Sequence, residues 1–339
     1  MSALERRQRR RLAVALVALS LLLLAAGLAA GSEGWSLQSL RGLSEAQADL
    51  VLTQIRAPRT LGAWGVGALL GLAGAVAQGL FRNPLADPYL LGSAAGASLA
   101  VVLVLAAGSL FGTSWLSLDG AQGLARLGLV GAAFAGALLG VTLTLLLARG
   151  AQQTTRLLLA GVVVGVMLTA VGDLVAAAAP EALRARQAFM LGSTAFLGWQ
   201  SVAILGVGLA LTLPLAWRLA RALDALGLGE DSAVSLGLPL SQVRAVLVAL
   251  LALATALAVS QAGLVAFVGL VAPHLVRRFA PAPQGYTLVA SAAMGGTLVL
   301  AADVLARSLL APQELPVGVL TAVLGGGYLV WLLHRGRAT

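Results

Sequence analysis

The chain has 339 residues, 59% of them hydrophobic and 10% charged, with mean hydropathy +0.95. A soluble domain carries about a quarter charged residues, so this composition excludes a pair of soluble domains and points to a polytopic helical membrane protein. The net charge is +9, every one of the 22 basic residues is arginine, and cysteine is absent; this excludes disulfides, thiolate metal sites, cysteine nucleophiles and a Walker A loop, whose lysine contacts nucleotide phosphates.

In a membrane protein such a basic excess reports orientation, because arginine collects on the cytoplasmic side; it is not read as a nucleic-acid surface. Any ATP the protein depends on must be bound by another chain.

The first 34 residues contain the parts of a signal peptide: a basic start, an apolar core and small residues near Ala30. The apolar run from Leu12 to Ala30 is 19 residues, long for a signal core and right for a span. The reading is a retained first helix with its arginines inside. Further spans are predicted near 60–80, 90–110, 125–148, 157–178, 195–217, 244–262, 264–278, 286–306 and 316–334.

The seventh and eighth spans follow from arginine parity. Arg244 and the pair Arg277/Arg278 flank 32 mostly apolar residues. One crossing would put them on opposite sides; two, turning near Ser260 to Gly263, keep them all inside. The second limb then reaches only about 22 Å, so it is expected to be a short helix shielded by protein rather than lipid. With ten crossings both termini lie inside, with fifteen arginines inside and seven outside.

Glycine pairs four apart occur at Gly67/Gly71, Gly92/Gly96, Gly136/Gly140 and Gly161/Gly165. Small residues let helices approach closely in lipid, so close packing is the expected role and pore lining the lesser one. The longest polar stretches are about 31–57, 179–194 and 221–243, and no soluble domain interrupts the chain.

Charged residues inside spans often mark ion or proton pathways. Here only Asp173 and Asp303 qualify, both toward outer helix ends, where local packing or loop contacts are the expected role. A Ser93–His274 catalytic pair has no G-x-S-x-G elbow to support it. Two distant histidines and few carboxylates do not make a metal site. His274, in GLVAFVGLVAPHLVRRFAP, reads as a helix-end residue with a structural or docking role.

The segment Arg221 to Arg244 lies inside on this topology. Glu230 and Asp231 open a short helical run, where acids suit the helix dipole, and Gly237-Leu238-Pro239 makes a turn. Val234, Leu236, Leu238 and Leu240 are apolar residues in a polar stretch, a surface that invites a cytoplasmic partner.

Several stretches taken together resemble the FecCD family, permease subunits of ABC importers for iron-siderophores, haem and vitamin B12. The second and third helices resemble RAPRTLGAWGVGALLGLAGAVAQGLFRNPLADPYLLGSAAGASLA, and the start of the fifth resembles TTRLLLAGVVVG. The coupling loop resembles GEDSAVSLGLPLSQVR, and the eighth to tenth helices resemble GLVAFVGLVAPHLVRR and LAADVLARSLLAPQELPVGVLTAVLGGGYLVWLL. The match is in order and nearly chain-long.

The resemblance implies an all-α, type II ABC importer permease fold of about ten helices, forming a single transmembrane permease domain over 1–339. It implies a non-enzymatic subunit with no cofactor and no metal, in a bacterial cytoplasmic membrane and paired with a second permease, as a homodimer or pseudo-dimer. Two ATP-binding subunits are implied inside and a periplasmic or lipid-anchored substrate-binding protein outside. A ferric siderophore is the expected cargo, with haem or cobalamin as alternatives. An ion-coupled secondary transporter, the competing class, would need an acid nearer the midplane. Family positions matching Asn83, Leu85, Thr154 and Thr155 close the cytoplasmic gate. Those matching Arg56, Arg59 and Arg307 dock the binding protein. Glu230, Asp231, Val234, Leu236, Gly237, Leu238 and Pro239 fall in the coupling loop, with Glu230 to Leu240 expected as its helical knob and Val234 and Leu238 as its anchors.

Overall fold

The computed structural model describes residues 3–31, 34–35, 45–110, 122–148 and 154–335. Apart from a short hairpin of β1 (Ala30–Gly31) with β2 (Gly34–Trp35), the regular elements among them are helices. In chain order, α1 (Ala3–Ala29) is followed by α2 (Glu45–Leu50), which runs through a π-helical stretch, Val51–Arg56, into α3 (Ala57–Phe81). A 3₁₀ turn, Pro88–Leu91, precedes α4 (Ser93–Leu110). Next come α5 (Gln122–Leu147), α6 (Thr154–Ala178), α7 (Pro180–Leu191) and α8 (Trp199–Arg218). Two short helices, α9 (Ala220–Gly227) and α10 (Glu230–Ser235), lead to α11 (Leu240–Ala262), α12 (Val268–Phe279), α13 (Gln284–Ser308) and α14 (Val317–Arg335).

Seven helices are long and apolar enough to cross a membrane, and Ser93–Gly108 and Val317–Leu332 add two shorter apolar helices. The tenth is α12, whose 12 residues reach only about 18 Å. It is the short limb that arginine parity requires, and protein covers it: Val268 to Pro273 and Val276 are buried. The polar stretches are less irregular than their composition suggests, since 45–56, 180–191 and 220–235 are largely helical.

The centre of the bundle is α3, whose apolar window is 89% buried, against 22% for α6 and 11% for α1. It packs on α13, α11, α12 and α8. The contact with α13 is backbone on backbone. A Cβ at Gly67 would overlap the carbonyl of Gly295, and one at Gly71 that of Ser291. At Gly74 it would overlap Gly269 of α12. A second seam joins α4 to α5, where Gly96 and Gly136 meet each other's carbonyls and Gly140 meets Gly92. Lipid tails are as apolar as leucine, so helices here gain by close dispersion contact rather than by leaving water. Gly161 likewise presses on the backbone of Leu90, whereas Gly165 has nothing within 4 Å of where its Cβ would be. The close-packing role therefore holds for the first three pairs and Gly161. Gly165 makes no such contact.

The backbone between α11 and α12 is not helical, and its polar groups are satisfied inside the protein, as a bilayer interior demands. Leu264 N–H donates to the Phe189 carbonyl at 2.9 Å and Ser193 N–H to that of Ala262 at 2.8 Å. The Tyr89 hydroxyl donates to the Val265 carbonyl at 3.2 Å. The chain can cross here because Gly192 and Gly263, both at positive φ, leave room for the neighbouring carbonyls.

Overpacking a core costs about 1–3 kcal/mol where side chains can adjust, and more where the obstacle is backbone. Gly74→Val is therefore expected to lower the thermal unfolding midpoint of the purified protein sharply or to abolish a monodisperse preparation. Gly165→Ala is expected to leave the midpoint unchanged. Equal midpoints for the two variants would contradict the packing described here.

Candidate functional site: transport cavity, inner mouth and outer cluster

The 3₁₀ turn after α3 folds back into the helix layer. Pro88 lies against Gly269 of α12, and the Leu90 carbonyl lies against Gly161 of α6. The Asp87 carboxylate accepts the Tyr89 N–H at 2.8 Å and so caps the turn. Between this turn and α6 lies an open cavity of about 560 Å³, lined by Asp87, Tyr89 and Leu90 on one side and by Gly161, Val162, Gly165, Val166, Thr169, Ala170 and Asp173 of α6 on the other. From Gly161 to Asp173 it follows α6 for about 18 Å. Its wall is small and apolar between two acids. Asp173, at the outer end, is ion-paired with Arg186 of α7, the loop contact expected of it. Asp87 has no cationic partner among the described residues.

Near the start of α6, where the inner mouth is expected, Asn83 Oδ1 accepts the Leu85 N–H at 2.9 Å, an Asx turn. Leu85 is 53% exposed, and Asn83 and Thr155 are exposed. Thr154 begins α6, but its side chain lies outside the described residues. The mouth is tied to the short helix α10 and to α11 through Glu230, at the start of α10. Its carboxylate takes Arg82 at 3.5 Å and Arg244 of α11 at 2.5 Å.

The loop departs from its expected form. The helix spans Glu230–Ser235 and does not continue to Leu240. Gly237, at φ +80°, reverses the chain, with its N–H on the Val234 carbonyl and the Leu238 N–H on that of Ala233, a Schellman motif. Leu238 is thereby turned inward onto the core and is not a free anchor. The exposed apolar groups are Leu228 at 72%, Val234 at 57% and Leu236 at 65%. Asp231 is exposed, and Pro239 caps α11.

At the outer end the three arginines are inside the protein. Arg56, Arg59 and Arg307 are 7%, 8% and 1% exposed. Arg56 donates to the carbonyls of Leu28 and Ala29, and Arg307 to those of Gly27 and Ala30. Those are the carbonyls that the end of α1 leaves without helical partners. Asp303, fully buried, takes Arg59 at 3.1 Å, Thr194 at 2.6 Å and also Arg307. Arg59 reaches Glu314 as well, at 2.9 Å. In this chain the three arginines expected to dock a partner are engaged by the end of α1 and by the Asp303 and Glu314 carboxylates.

His274, on α12, stacks edge-on against Tyr328 of α14, and its neighbour Arg277 bonds Gln78 of α3. Ser93 Oγ and His274 Nε2 have no hydrogen-bond partner, in each other or elsewhere among the described residues.

Compared with known proteins, residues 12–335 match the FecCD transport family. The chain is a FecCD family member. A vitamin B12 import system permease protein, BtuC, of Pectobacterium atrosepticum is 39% identical over 98% of this chain and 96% of its own. A hemin transport system permease protein, HmuU, of Yersinia pestis is 38% identical over 84% of this chain and 83% of its own. The fold matches a solved inward-facing conformation of an ABC transporter assigned to the metal-chelate type, with TM-score 0.82 and 27% identity over 95% of this chain and 98% of that one. The all-α polytopic permease architecture and the ABC importer class thus hold for this FecCD chain.

Sequence reading missed Asp87 and Tyr89 as cavity residues, because they sit in a loop between predicted spans and only the re-entry of that loop places them. It also missed Glu314 and Thr194, which complete the outer cluster. An unpaired acid in NPLADP was the available signal.

Removing one partner of a buried ion pair costs on the order of 3–5 kcal/mol. Asp303→Asn removes the buried charge that Arg59 and Arg307 share and is expected to cost that much in thermal or denaturant unfolding. Glu314→Gln, at the quarter-exposed rim, is expected to cost far less. A stable Asp303→Asn protein that has lost only binding-protein affinity would contradict the structural role.

Proposed function

We propose that this chain is one of two permease subunits that import a preformed metal chelate across a bacterial cytoplasmic membrane, with both termini inside. The observation that carries the reading is the α6 face. It belongs to a spanning helix that the bundle leaves mostly uncovered, and it opens onto a cavity that follows α6 from Gly161 to Asp173. Two such faces across a two-fold axis would enclose a path. The exposed inner residues Asn83, Leu85 and Thr155, with Thr154 beside them in sequence, are proposed to close it by rigid-body movement of their helices.

The cargo is proposed to be a metal chelate of the corrinoid or haem kind, which the names of the two relatives support. The ferric siderophore expected from the sequence belongs to the same broad class. Energy is proposed to come from two ATP-binding subunits seated on the exposed apolar residues Leu228, Val234 and Leu236 around α10, with Glu230 joining that seat to the mouth through Arg82. The substrate-binding protein is proposed to dock at the outer end, over the Arg56, Arg59 and Arg307 cluster. A partner carboxylate would then replace Glu314 on Arg59, an exchange that suits the bidentate guanidinium.

The direct experiment is ATP-dependent uptake of a labelled chelate into proteoliposomes holding the permease, its ATPase and its binding protein. Uptake without ATP, driven by an ion gradient, would overturn the reading. On this assignment Val234→Asp with Leu236→Asp is expected to cut uptake about tenfold or more, since charges in an apolar docking surface are strongly disfavoured, while the permease stays folded. Leu238→Asp is expected to reduce folded yield instead. Normal uptake in the double variant would remove α10 as the coupling element.

A further inference from the structure

The cavity wall is electrically asymmetric. Its lining carries two carboxylates and no basic side chain. Asp173 is neutralised by Arg186 at the outer end. Asp87, at the other end, accepts the Tyr89 N–H on Oδ1, and its carboxylate has no further hydrogen bond or ion pair among the described residues. A carboxylate packed among helices without a cation beside it is expensive to keep charged. The backbone N–H it caps would be served equally well by a neutral asparagine or serine, so capping alone does not call for the charge. In a chain of net charge +9, a lone negative site on the cavity wall stands out from its surroundings.

We propose that Asp87 gives the transport cavity a negative charge that favours cationic or neutral chelates and disfavours polyanionic ones. This rests on the reading of the cavity as the transport path and deepens it by naming a charge class of cargo. The physical basis is simple. Low-dielectric walls focus the field of a single charge along a cleft, and two unit charges about 10 Å apart at an effective dielectric constant near 20 interact strongly enough to change local occupancy by about tenfold. The apolar stretch from Gly161 to Ala170 offers a cargo contact without specific anchoring, so charge is the main discriminator left on this wall.

The absence of native cysteine allows a test on the permease alone. Val166→Cys places one thiol on the cavity wall, 64% exposed in this chain. Its rate of modification is measured with two methanethiosulfonates of similar size, one bearing a trimethylammonium group and one a sulfonate, each scaled to its rate with a free thiol. The cationic reagent is expected to react about tenfold faster, and adding Asp87→Asn, which preserves the capping oxygen, is expected to reduce that preference about threefold or more. Asp87→Glu, which keeps the charge, is expected to retain the preference. Equal rates for the two reagents, or a preference unchanged by Asp87→Asn, would overturn the proposal. So would a thiol reached by neither reagent because lipid or a second copy seals the face. The transport reading fails separately: a permease with the preference intact but no ATP-driven uptake would refute that reading and leave the charge assignment standing.

Discussion

Helices in a bilayer gain nothing by hiding apolar side chains from one another, since lipid offers the same environment. What holds this bundle is the close approach of backbone to backbone at Gly67, Gly71 and Gly74 of α3, and again where α4 meets α5. The consequence reaches the functional region. With α3 locked against α11, α12 and α13, the short α12 and its non-helical approach are enclosed on all sides, and the 3₁₀ turn at Pro88 to Leu91 is pressed into the layer rather than left at its edge. That turn is what brings Asp87 and Tyr89 to the wall of the cavity. The helices outside the lock, α1 and α6, keep apolar faces that the chain itself does not cover.

Polar groups in the layer obey the complementary constraint that each needs a partner. Phe189, Ala262 and Val265 give up helical hydrogen bonds and recover them from Leu264, Ser193 and Tyr89. The end of α1 finds its donors in Arg56 and Arg307. Asp303 then balances the charge these arginines bring, with Arg59 and Thr194 completing its shell. A cluster satisfied this fully is a clamp on the outer end of the fold, and only its rim, at Glu314, is placed to exchange partners.

Much of this was legible in the sequence. Hydropathy located the nine longer apolar helices, arginine parity required the short α12, and glycine spacing located both seams. The rest was hidden for identifiable reasons. Periodicity cannot show that a loop such as 82–92 turns back into the layer, so Asp87 read as an ordinary loop acid. Arginines at helix ends look alike whether they face solvent or cap a neighbouring helix, and only the nearby end of α1 decides between the two. Leu238 read as an anchor beside Val234 because a helix was carried through Gly237, whose positive φ ends it and turns the leucine inward. The gate residues rest on resemblance, since the turn chemistry of Asn83 accounts for its type without any gate.

The central claim is that the uncovered α6 face and its inner mouth meet their counterparts in a second copy across a path. The most direct measurement is disulfide cross-linking of single cysteines in membranes, at Thr155 and Leu85, with Leu21 on the exposed face of α1 as control. The account predicts that Thr155→Cys or Leu85→Cys forms a covalent dimer in the closed state, that this dimer blocks ATP-driven uptake, and that reduction restores it, while Leu21→Cys does neither. Cross-linking through Leu21 alone, with neither mouth position within disulfide reach in any nucleotide state, would contradict it.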